Sequence, residues 1–248
     1  MSKIELYNGD CFEVMKNIPE HSVDCIMSDM PYNITKCDFE YDIDLPKMWD
    51  IYILVLKEKG TIILTANQPF TSKLVMSNLK MFKYELIWDK VKAVGMQYAR
   101  FRPMSRHETI LIFGKGRIVY NPNYERYAKK VVSRNYSKIP SQSSPLHSND
   151  GKRREYFKKN PQTIIRFSNA FQEEKEHPTE KPVSLMEYLI KQYTNENDLV
   201  IDPFMGSGTT GVACKLLNRN FIGIEKDSKY YEMAKNRMDS TYATEKYW

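Results

Sequence analysis

The sequence of 248 residues predicts an α/β fold, a doubly wound and mostly parallel seven-stranded sheet with one antiparallel edge hairpin and a small inserted region. Two observations predict it. Short runs of β-branched and aromatic residues alternate with amphipathic helical stretches at both ends of the chain. Between them, residues 115–176 are rich in proline, serine and charge, and they break the alternation. We therefore expect one domain in two halves, residues 1–114 and 177–248, interrupted by an insertion.

The first half contains five predicted strands, at residues 4–7, 23–27, 61–65, 84–88 and 109–113. The predicted helices between them include residues 11–18 and 45–58, and the second of these carries apolar side chains at helical spacing. No apolar helix separates the fourth strand from the fifth. These two strands are therefore the predicted antiparallel hairpin.

The second half supplies the other two strands of the predicted sheet, at residues 199–201 and 221–224. Three helices flank them, at residues 184–193, 210–217 and 230–238. The order of helix, strand, helix, strand, helix is typical of parallel strands joined by crossover helices.

The composition argues against several classes of protein. No run of 18 apolar residues occurs, which argues against a transmembrane helix, and the first residues lack the apolar stretch of a signal peptide. We therefore expect a cytoplasmic protein. The four cysteines are scattered without a CxxC pair, and no HExxH motif occurs, so we expect reduced thiols and no metal site.

The positive charge of the chain is concentrated in the inserted region. Residues 115–176 hold 14 Lys and Arg against 6 Asp and Glu, whereas the rest of the chain is slightly acidic. Such an asymmetry indicates either an electrostatic footprint for a polyanion or a solvated, partly disordered loop. Aromatic residues are spread through the charges, and a plain linker rarely contains so many. We therefore interpret the insertion as a recognition module.

A glycine-rich turn joins the strand at 199–201 to the following helix, with the sequence Asp202-Pro203-Phe204-Met205-Gly206-Ser207-Gly208-Thr209-Thr210. Gly206 and Gly208 permit unusual φ angles and let a ligand approach the backbone, while the helix N-terminus favours an anionic group. Glu225 ends the next strand, where a carboxylate is placed to accept hydrogen bonds from ribose hydroxyls. The pattern predicts a nucleoside cofactor, either a methyl donor such as S-adenosylmethionine or another nucleoside such as a nicotinamide.

A second motif, Asp29-Met30-Pro31-Tyr32, follows the strand at 23–27 and so lies at its carboxyl end. The Asp29 carboxylate and the Met30 carbonyl can each accept one N–H of an exocyclic amine and turn its lone pair toward a methyl group. Pro31 would hold that carbonyl, and Tyr32 would stack on a base that has left the helix. The alternative is an Asp–Pro turn that only ends the strand, with the tyrosine packed on the core.

Together these motifs resemble those of the DNA amino-methyltransferases, in which a [DNS]PP[YFW] tetrad is catalytic and a FxGxG-type turn binds S-adenosylmethionine. Their order, with the tetrad first and a variable region between, is similar to the β-group of that family. The resemblance implies a Rossmann-like methyltransferase fold with a catalytic half (1–114), a target-recognition region (115–176) and a cofactor-binding half (177–248). Met30 departs from the family, which usually has proline there, so the carbonyl is retained but one rigid φ angle is lost.

The resemblance also implies further residues of the cofactor site. The segment at 177–182, HPTEKP, is similar to the HPT(Q/E)KP segment of the family, and the segment at 8–11 is similar to an element near the donor adenine. The expected cofactor-binding residues are Asp10, Cys11, Asp29, Thr179, Lys181, Pro182, Asp202, Phe204, Gly206, Ser207, Gly208, Thr209, Thr210 and Glu225.

Aspartate at the first tetrad position resembles the adenine-specific members more than the cytosine-N4 members, which favours N6 of adenine in duplex DNA as the target. Methylation of cytosine N4 stays open, as does methylation of RNA or of a protein glutamine amide. A DNA-binding homologue that has lost its chemistry at Met30 is an alternative from another class. The expected state is a monomer or homodimer, and a restriction endonuclease is a candidate partner.

Basic residues outside these motifs are the candidates for contact with DNA. In the loop at residues 92–106 they are Lys92, Arg100, Arg102 and Arg106, and packing of this loop on the core is the competing interpretation. In the inserted region they are Lys152, Arg153, Arg154, Lys158 and Lys159. We expect the second group to meet phosphates, which positions a duplex without reading its sequence.

Overall fold

The computed structural model describes residues 2–31, 43–132, 155–169 and 181–241. This part of the chain divides into two compact units. The smaller unit is Pro122–Gln162, and the larger unit holds the other described residues. The smaller unit falls within the segment at 115–176 that the sequence separates from the two halves of the domain.

The described residues contain ten strands, six α-helices and one short 3-10 helix, Met96–Tyr98. The strands are β1 (Ile4–Asn8), β2 (Val23–Ser28), β3 (Leu56–Ala66), β4 (Phe82–Val94), β5 (Ser105–Phe113), β6 (Glu125–Val132), β7 (Glu155–Lys159), β8 (Ile164–Arg166), β9 (Leu199–Asp202) and β10 (Asn220–Glu225). The helices are α1 (Cys11–Met15), α2 (Leu45–Val55), α3 (Phe70–Ser77), α4 (Val183–Tyr193), α5 (Thr209–Leu216) and α6 (Ser228–Ser240). None of these helices has the length and apolar character needed to cross a membrane.

Eight strands form the sheet of the larger unit, in the order β1, β10, β9, β2, β3, β5, β4, β8. Among these strands only β5 runs against its neighbours: its pairs with β3 and β4 are antiparallel, and the other pairs are parallel. The predicted fold class, a doubly wound and mostly parallel α/β sheet with one antiparallel hairpin, is confirmed.

The sheet differs from the sequence prediction at one edge, where β8 adds an eighth strand. It pairs in parallel with β4, with Ile164 opposite Ile87 and Arg166 opposite Asp89, so the β4–β5 hairpin lies inside the sheet and not at its edge. β8 has three residues and falls within the segment at 115–176. A strand this short shows no measurable alternation of apolar and polar residues, so the sequence pattern does not reveal it.

Residues at both ends of the segment 115–176 pack within the larger unit. The Asn121 amide donates to the carbonyl of Gln192 at 2.7 Å, and the Trp88 indole donates to the carbonyl of Phe167 at 2.9 Å. The smaller unit is built on the antiparallel pair β6–β7. In it the Lys158 ammonium lies 5.1 Å from the centre of the Tyr124 ring.

Alternate side chains of the central strands enter two separate apolar layers, because successive residues of a strand point to opposite faces. Ile26 of β2 and Ile62 of β3 enter the layer formed with α1, α2 and α3. Cys25 of β2 and Ile63 of β3 enter the layer formed with α4, α5 and α6. The helices therefore cover both faces of the sheet, and its strand ends are left as the place where a ligand can approach.

The carboxyl ends of β1, β2, β9 and β10 meet at one edge of the sheet because these strands are parallel. The same edge receives the carboxyl end of β4 and the loop at residues 95–104 that follows it, since β4 is antiparallel to β5 and β5 to β3. Asp29, the glycine turn and Glu225 all lie at this edge, which we call the carboxyl edge. Open α/β sheets bind their ligands there.

Candidate active site

Asp29 follows β2 directly, and two donors hold its carboxylate. Thr65 near the end of β3 donates its hydroxyl to Oδ1, and the ammonium of Lys181 lies 2.5 Å from Oδ2. The Asp29 side chain is 28% exposed, whereas Lys181 is buried. The carboxylate is therefore fixed in orientation and still accessible to a ligand at the carboxyl edge.

Met30 is anchored in the core of the protein. Its side chain is buried in the apolar layer formed with α1 and α2, and the following Pro31 is partly exposed. A tightly packed side chain restrains the backbone that carries it. The side chain that stands in place of the usual proline of the resembled tetrad is therefore held in the core. Tyr32, the last residue of the tetrad, lies outside the described residues.

Asp202 ends β9 and is buried inside the glycine turn. The Thr210 hydroxyl donates to its Oδ2 at 2.7 Å, and the Phe204 amide donates to its Oδ1 at 3.1 Å. Burial raises the pKa of Asp202 to about 7, although the two donors act in the opposite direction. The hydrogen bonds that the Asp202 carboxyl group accepts from Thr210 and Phe204 therefore stabilise the turn.

The two glycines of the turn are needed for different reasons. Both have positive φ, +50° at Gly206 and +78° at Gly208. A Cβ added at Gly206 would meet nothing within 4 Å, whereas one at Gly208 would lie 2.9 Å from the Ala234 Cβ of α6. Gly206 thus leaves an open face beside the backbone, and Gly208 permits the close approach of a helix. The sequence analysis predicted that both glycines contact the ligand.

Helix α6 also braces the residues next to these glycines. The guanidinium of Arg237 lies 3.3 Å from the Ser207 hydroxyl and 3.1 Å from the Thr209 hydroxyl. Ser207 and Thr209 are buried, and Phe204 packs against the layer formed with α1, α2 and α3. The turn is therefore supported from both faces of the sheet.

Glu225 lies at the end of β10, beside the open face of Gly206. Its Oε2 accepts from the Gly206 amide at 3.0 Å, and its Oε1 accepts from the Asp227 amide at 2.8 Å. Burial raises the pKa of Glu225 above its ordinary value, and the two amides oppose this shift. The carboxylate is thereby held in one orientation at the carboxyl edge.

Asp10 and Cys11 continue this edge after β1. The Gly9 amide donates to the carbonyl of Glu225 at 2.9 Å, which joins the two strand ends. The Asp10 carboxylate caps α1 by accepting from the Phe12 amide at 2.9 Å. The Cys11 thiol is buried, and burial raises its pKa to about 12, so it stays protonated at neutral pH and is a poor nucleophile.

The structure brings Lys181 to Asp29. The following Pro182 precedes α4, and its carbonyl accepts from the Leu185 amide at 3.1 Å in the first turn of that helix. Thr179, also expected at the cofactor site, lies outside the described residues. The described part of the HPTEKP segment is therefore joined to the tetrad that begins at Asp29 through an ion pair.

The residues expected to contact DNA occupy different settings. Lys92, Arg100 and Arg102 are exposed near or in the loop at 95–104 of the carboxyl edge. Arg106 instead forms a bidentate pair with Asp89, at 2.7 and 2.9 Å. Lys158 and Lys159 belong to β7, where Lys159 pairs with Glu125 at 3.1 Å. Lys152, Arg153 and Arg154 lie outside the described residues.

Sequence reasoning missed three polar residues at this edge: Thr65, which contacts Asp29, and the buried pair Glu108 and Lys90. Each lies at or near the end of an apolar strand run at the carboxyl edge, which is where open α/β sheets bind ligands. The two charged residues were not recognised because their partners are distant in the sequence.

The geometry fits an adenosyl cofactor in two respects, the open face at Gly206 and the fixed Glu225 carboxylate beside it. With the fixed carboxylate of Asp29 at the same edge, fold and site are those of an α/β protein that binds a nucleoside cofactor beside a carboxylate. The family model described as DNA methylase, which covers the N6 and N4 methyltransferases, matches residues 23–236. The chain belongs to this family. It is a DNA methyltransferase that uses S-adenosylmethionine.

Relatives of this chain cover nearly all of it. It is 31% identical over 250 residues to the Type II methyltransferase M.HpaI of Haemophilus parainfluenzae, covering 94% of this chain and 74% of that protein. It is 32% identical over 261 residues to the DNA adenine methyltransferase YhdJ of Escherichia coli (strain K12), covering 97% of this chain and 85% of that protein.

Two solved structures share the fold. The M1.HpyAVI–SAM complex superposes with a TM-score of 0.67 at 29% identity, covering 95% of this chain and 99% of that one. The cytosine-N4-specific PvuII DNA methyltransferase superposes with a TM-score of 0.68 at 18% identity, covering 96% of this chain and 86% of that one. At that identity the second likeness shows the fold alone.

Proposed function

We propose that this DNA methyltransferase acts on the exocyclic N6 amine of adenine in duplex DNA. The observation that carries the proposal is the Asp29 carboxylate, held by Thr65 and Lys181 and open to a ligand at the carboxyl edge. Aspartate at the first position of the tetrad is the choice of the adenine-specific members, and the relative YhdJ is a DNA adenine methyltransferase.

Asp29 and Met30 would bind and orient the target amine. The carboxylate accepts one N–H and the Met30 carbonyl accepts the other, so the nitrogen becomes pyramidal and its lone pair is freed from the ring. The carboxylate is also within reach of the proton that the amine must lose on methylation. Pro31 restricts the backbone after the carbonyl, and Tyr32 would stack on the base.

The cofactor site would be formed by Gly206, Glu225 and Asp10. S-adenosylmethionine supplies an electrophilic methyl group when it is bound. Glu225 would accept hydrogen bonds from ribose hydroxyls, and the open face at Gly206 would let the ligand lie against the backbone. Asp202 and Thr210 would act indirectly, by holding the turn in shape.

Duplex DNA must yield one nucleotide to this site, since a base inside the helix is out of reach. We propose that Lys92, Arg100 and Arg102 meet the DNA near the carboxyl edge. The inserted region at 115–176, including Lys158 and Lys159 and the residues at 152–154, would act as the target-recognition region by contacting phosphates. Arg106 is a weaker candidate because its guanidinium is paired with Asp89.

The setting we propose is a cytoplasmic enzyme of a restriction–modification system, acting as a monomer or homodimer. The name Type II methyltransferase, which M.HpaI and several other relatives carry, supports this setting. A restriction endonuclease of the same specificity would be its partner.

Incubation with radiolabelled S-adenosylmethionine and unmethylated genomic DNA, followed by digestion to nucleosides, tests the proposal. Label in N6-methyladenine is the expected result. Label only in N4-methylcytosine would assign the enzyme to the other branch of the family. Label in RNA or protein but not in DNA, or donor binding without any transfer, would contradict the proposal as a whole.

A further inference from the structure

Four charged side chains of alternating sign form a chain that ends at Asp29. Lys181 lies 2.5 Å from Asp29 Oδ2 and 3.4 Å from Glu108 Oε2, and the Lys90 ammonium contacts Glu108 Oε1. The residues come from four separate places in the sequence: the end of β2, β4, β5 and the residues before α4. We call Asp29, Lys181, Glu108 and Lys90 the charge quartet.

Three members of the quartet are withdrawn from water. Lys90, Glu108 and Lys181 are 9%, 8% and 8% exposed. A buried ion loses its hydration, and a well-packed apolar residue in its place is often neutral or stabilising. Stability alone therefore does not account for two lysines and a glutamate in this position. Asp29 is the only member of the quartet that is partly exposed and can contact a ligand.

Glu108 is the central member, since it contacts both lysines. It lies on β5 beside β4, with Trp88 as its strand partner, and the Lys90 ammonium also lies 5.4 Å from the centre of the Trp88 ring. The partners of Lys90 are therefore Glu108 and the Trp88 ring, whereas Lys181 lies between Glu108 and Asp29. Without the Glu108 charge, Lys181 would keep only one of its two anionic contacts.

We propose that Glu108 is a positioning residue for methyl transfer: backed by Lys90, it holds the Lys181 ammonium against Asp29 and so fixes the carboxylate that receives the target amine. The inference rests on the proposed role of Asp29. Glu108 itself does not touch the substrate. It acts through Lys181, and a shift of the Asp29 carboxylate would misplace the acceptor of the amine, which is costly to the rate.

The protonation of Lys181 is the feature that distinguishes this role from a structural one. Burial lowers the pKa of Lys181, but the charges of Asp29 and Glu108 raise it more strongly, so it lies above its ordinary value. The charged groups that face Lys181 are Asp29 after β2 and Glu108 on β5, with Lys90 of β4 behind Glu108. Loss of the Glu108 charge lets the ammonium lose its proton at lower pH.

Glu108→Gln tests the proposal with two independent readouts. The first is the titration of Lys181 in the protein without DNA or cofactor, followed by NMR of isotopically labelled lysine side chains and assigned with Lys181→Arg. We expect its pKa to fall, because one of the two anionic charges that raise it is lost. The second is the pH profile of kcat for DNA methylation. We expect kcat to fall about tenfold or more and its alkaline limb to move to lower pH.

The double variant Lys90→Met/Glu108→Gln separates positioning from stability, because it removes both charges and leaves no unpaired ion. We expect it to recover the melting temperature lost in Glu108→Gln while keeping the low kcat and the shifted Lys181 titration. Lys57→Met is the matched control, since it breaks the Lys57–Asp24 pair, 2.7 Å apart near the amino ends of β2 and β3. It should leave kcat and its pH profile unchanged.

A double variant with the wild-type kcat profile and the wild-type Lys181 titration would overturn the inference. Glu108 would then serve only to neutralise Lys90. Failure of the wild-type protein to methylate DNA would instead contradict the proposed function. The titration, which needs neither DNA nor cofactor, would still decide whether Glu108 holds the charge of Lys181.

Discussion

At the residue scale, the proposed function depends on a few side chains whose settings differ although their sequence motifs look alike. Asp29 and Asp202 each end a parallel strand of the same sheet edge. Asp29 is partly exposed and held by a hydroxyl and an ammonium, whereas Asp202 is buried and closes a turn through Thr210. The Asp29 carboxylate can therefore accept a hydrogen bond from a ligand, whereas the Asp202 carboxyl group accepts hydrogen bonds from donors within the protein.

Asp29→Ala is expected to abolish methyl transfer, with a fall in kcat of about a hundredfold or more, because it removes the acceptor that orients the amine. Affinity for duplex DNA should change little, as measured by a gel-shift or fluorescence assay. Asp50→Ala, on the exposed face of α2, is the control and should retain full activity. An active Asp29→Ala protein would remove this residue from the mechanism.

Alanine substitutions at the two glycines of the turn should separate cofactor binding from folding. Gly206→Ala places its methyl group on the open face, so we expect about tenfold weaker binding of S-adenosylmethionine and a loss of stability of about 1 kcal/mol from the positive φ. Gly208→Ala meets Ala234 and Met238, so we expect a loss of about 2–4 kcal/mol. Calorimetric titration and denaturant unfolding measure the two effects. Equal loss of stability in both variants would contradict this assignment.

At the element scale, β4 is distorted where it reaches the carboxyl edge. Its register with β5 shifts between Asp89 and Val94, and Val91 has φ of +68°, a conformation that disfavours a β-branched residue. The Val91 amide donates to Asp89 Oδ1 at 2.9 Å. The Arg106 guanidinium and that amide hold the pKa of Asp89 well below its ordinary value, with a smaller contribution from Arg166. These contacts fix the base of the loop that follows β4.

Val91→Gly should raise the free energy of unfolding by about 1 kcal/mol, because glycine adopts this φ without a steric penalty. Val94→Gly is a matched control on the same strand, since both side chains are 48% exposed and only Val91 has a positive φ. The control should lose about 0.5–1 kcal/mol. Urea denaturation measures both. A destabilised Val91→Gly protein would show that this residue is not strained.

The loop at 95–104 is the second feature at this scale, and it presents aromatic and basic side chains together. Phe101 is 87% exposed, and the guanidinium of Arg102 lies 5.0 Å from the centre of the Tyr98 ring. Mixed aromatic and cationic surfaces suit nucleic acid, because bases stack on rings and phosphates attract cations. The setting favours DNA contact over the alternative that this loop packs on the core.

Arg100→Ala/Arg102→Ala should weaken binding to duplex DNA and reduce the salt dependence of the affinity by about two in the log–log slope, since each lost phosphate contact removes about one. Binding of S-adenosylmethionine should not change. Lys59→Ala/Lys80→Ala removes the same charge from exposed positions away from the carboxyl edge and serves as the control. An equal effect in both double variants would indicate general charge attraction and no local contact.

At the scale of the whole molecule, one sheet carries the cofactor motif and the reactive motif on adjacent strands. β9 and β2 are neighbours, so the glycine turn and Asp29 meet at the centre of the carboxyl edge. The inserted segment lies between the two motifs in sequence but does not separate them in the sheet. Burial of Asp202 at this centre makes the stability of the whole fold sensitive to pH.

The contribution of Asp202 to the free energy of unfolding should decrease as the pH rises from about 4 to about 7. The folded protein keeps a proton on Asp202 up to about pH 7, whereas the unfolded chain releases it near 3.8, so the folded state binds more protons in this window. Stability from this group is therefore present at low pH and lost toward neutral pH. Asp202→Asn lacks the titration, so its stability relative to wild type should increase by roughly 2–4 kcal/mol across the window. A stability difference between Asp202→Asn and the wild-type protein that does not change with pH would contradict the raised pKa of Asp202.

The sequence by itself determined the fold class, the order of the strands along the chain and the two motifs at their ends. These features are local, because apolar alternation, helical spacing and the residues of a turn each involve positions a few residues apart. For this reason Asp29 and the glycine turn could be assigned to strand ends from the order of residues alone. The family resemblance added S-adenosylmethionine and DNA.

Only the tertiary structure decided which side chains meet. Lys181 and Asp29 lie 152 positions apart in the sequence yet form an ion pair, and Glu108 joins them through the register of β5. β8 was too short to show a period, Arg106 pairs with Asp89, and Gly208 is closely approached by helix α6. Each of these depends on the lateral order of strands and on the packing of helices over them. Long-range contacts of this kind leave no periodic trace in a single sequence.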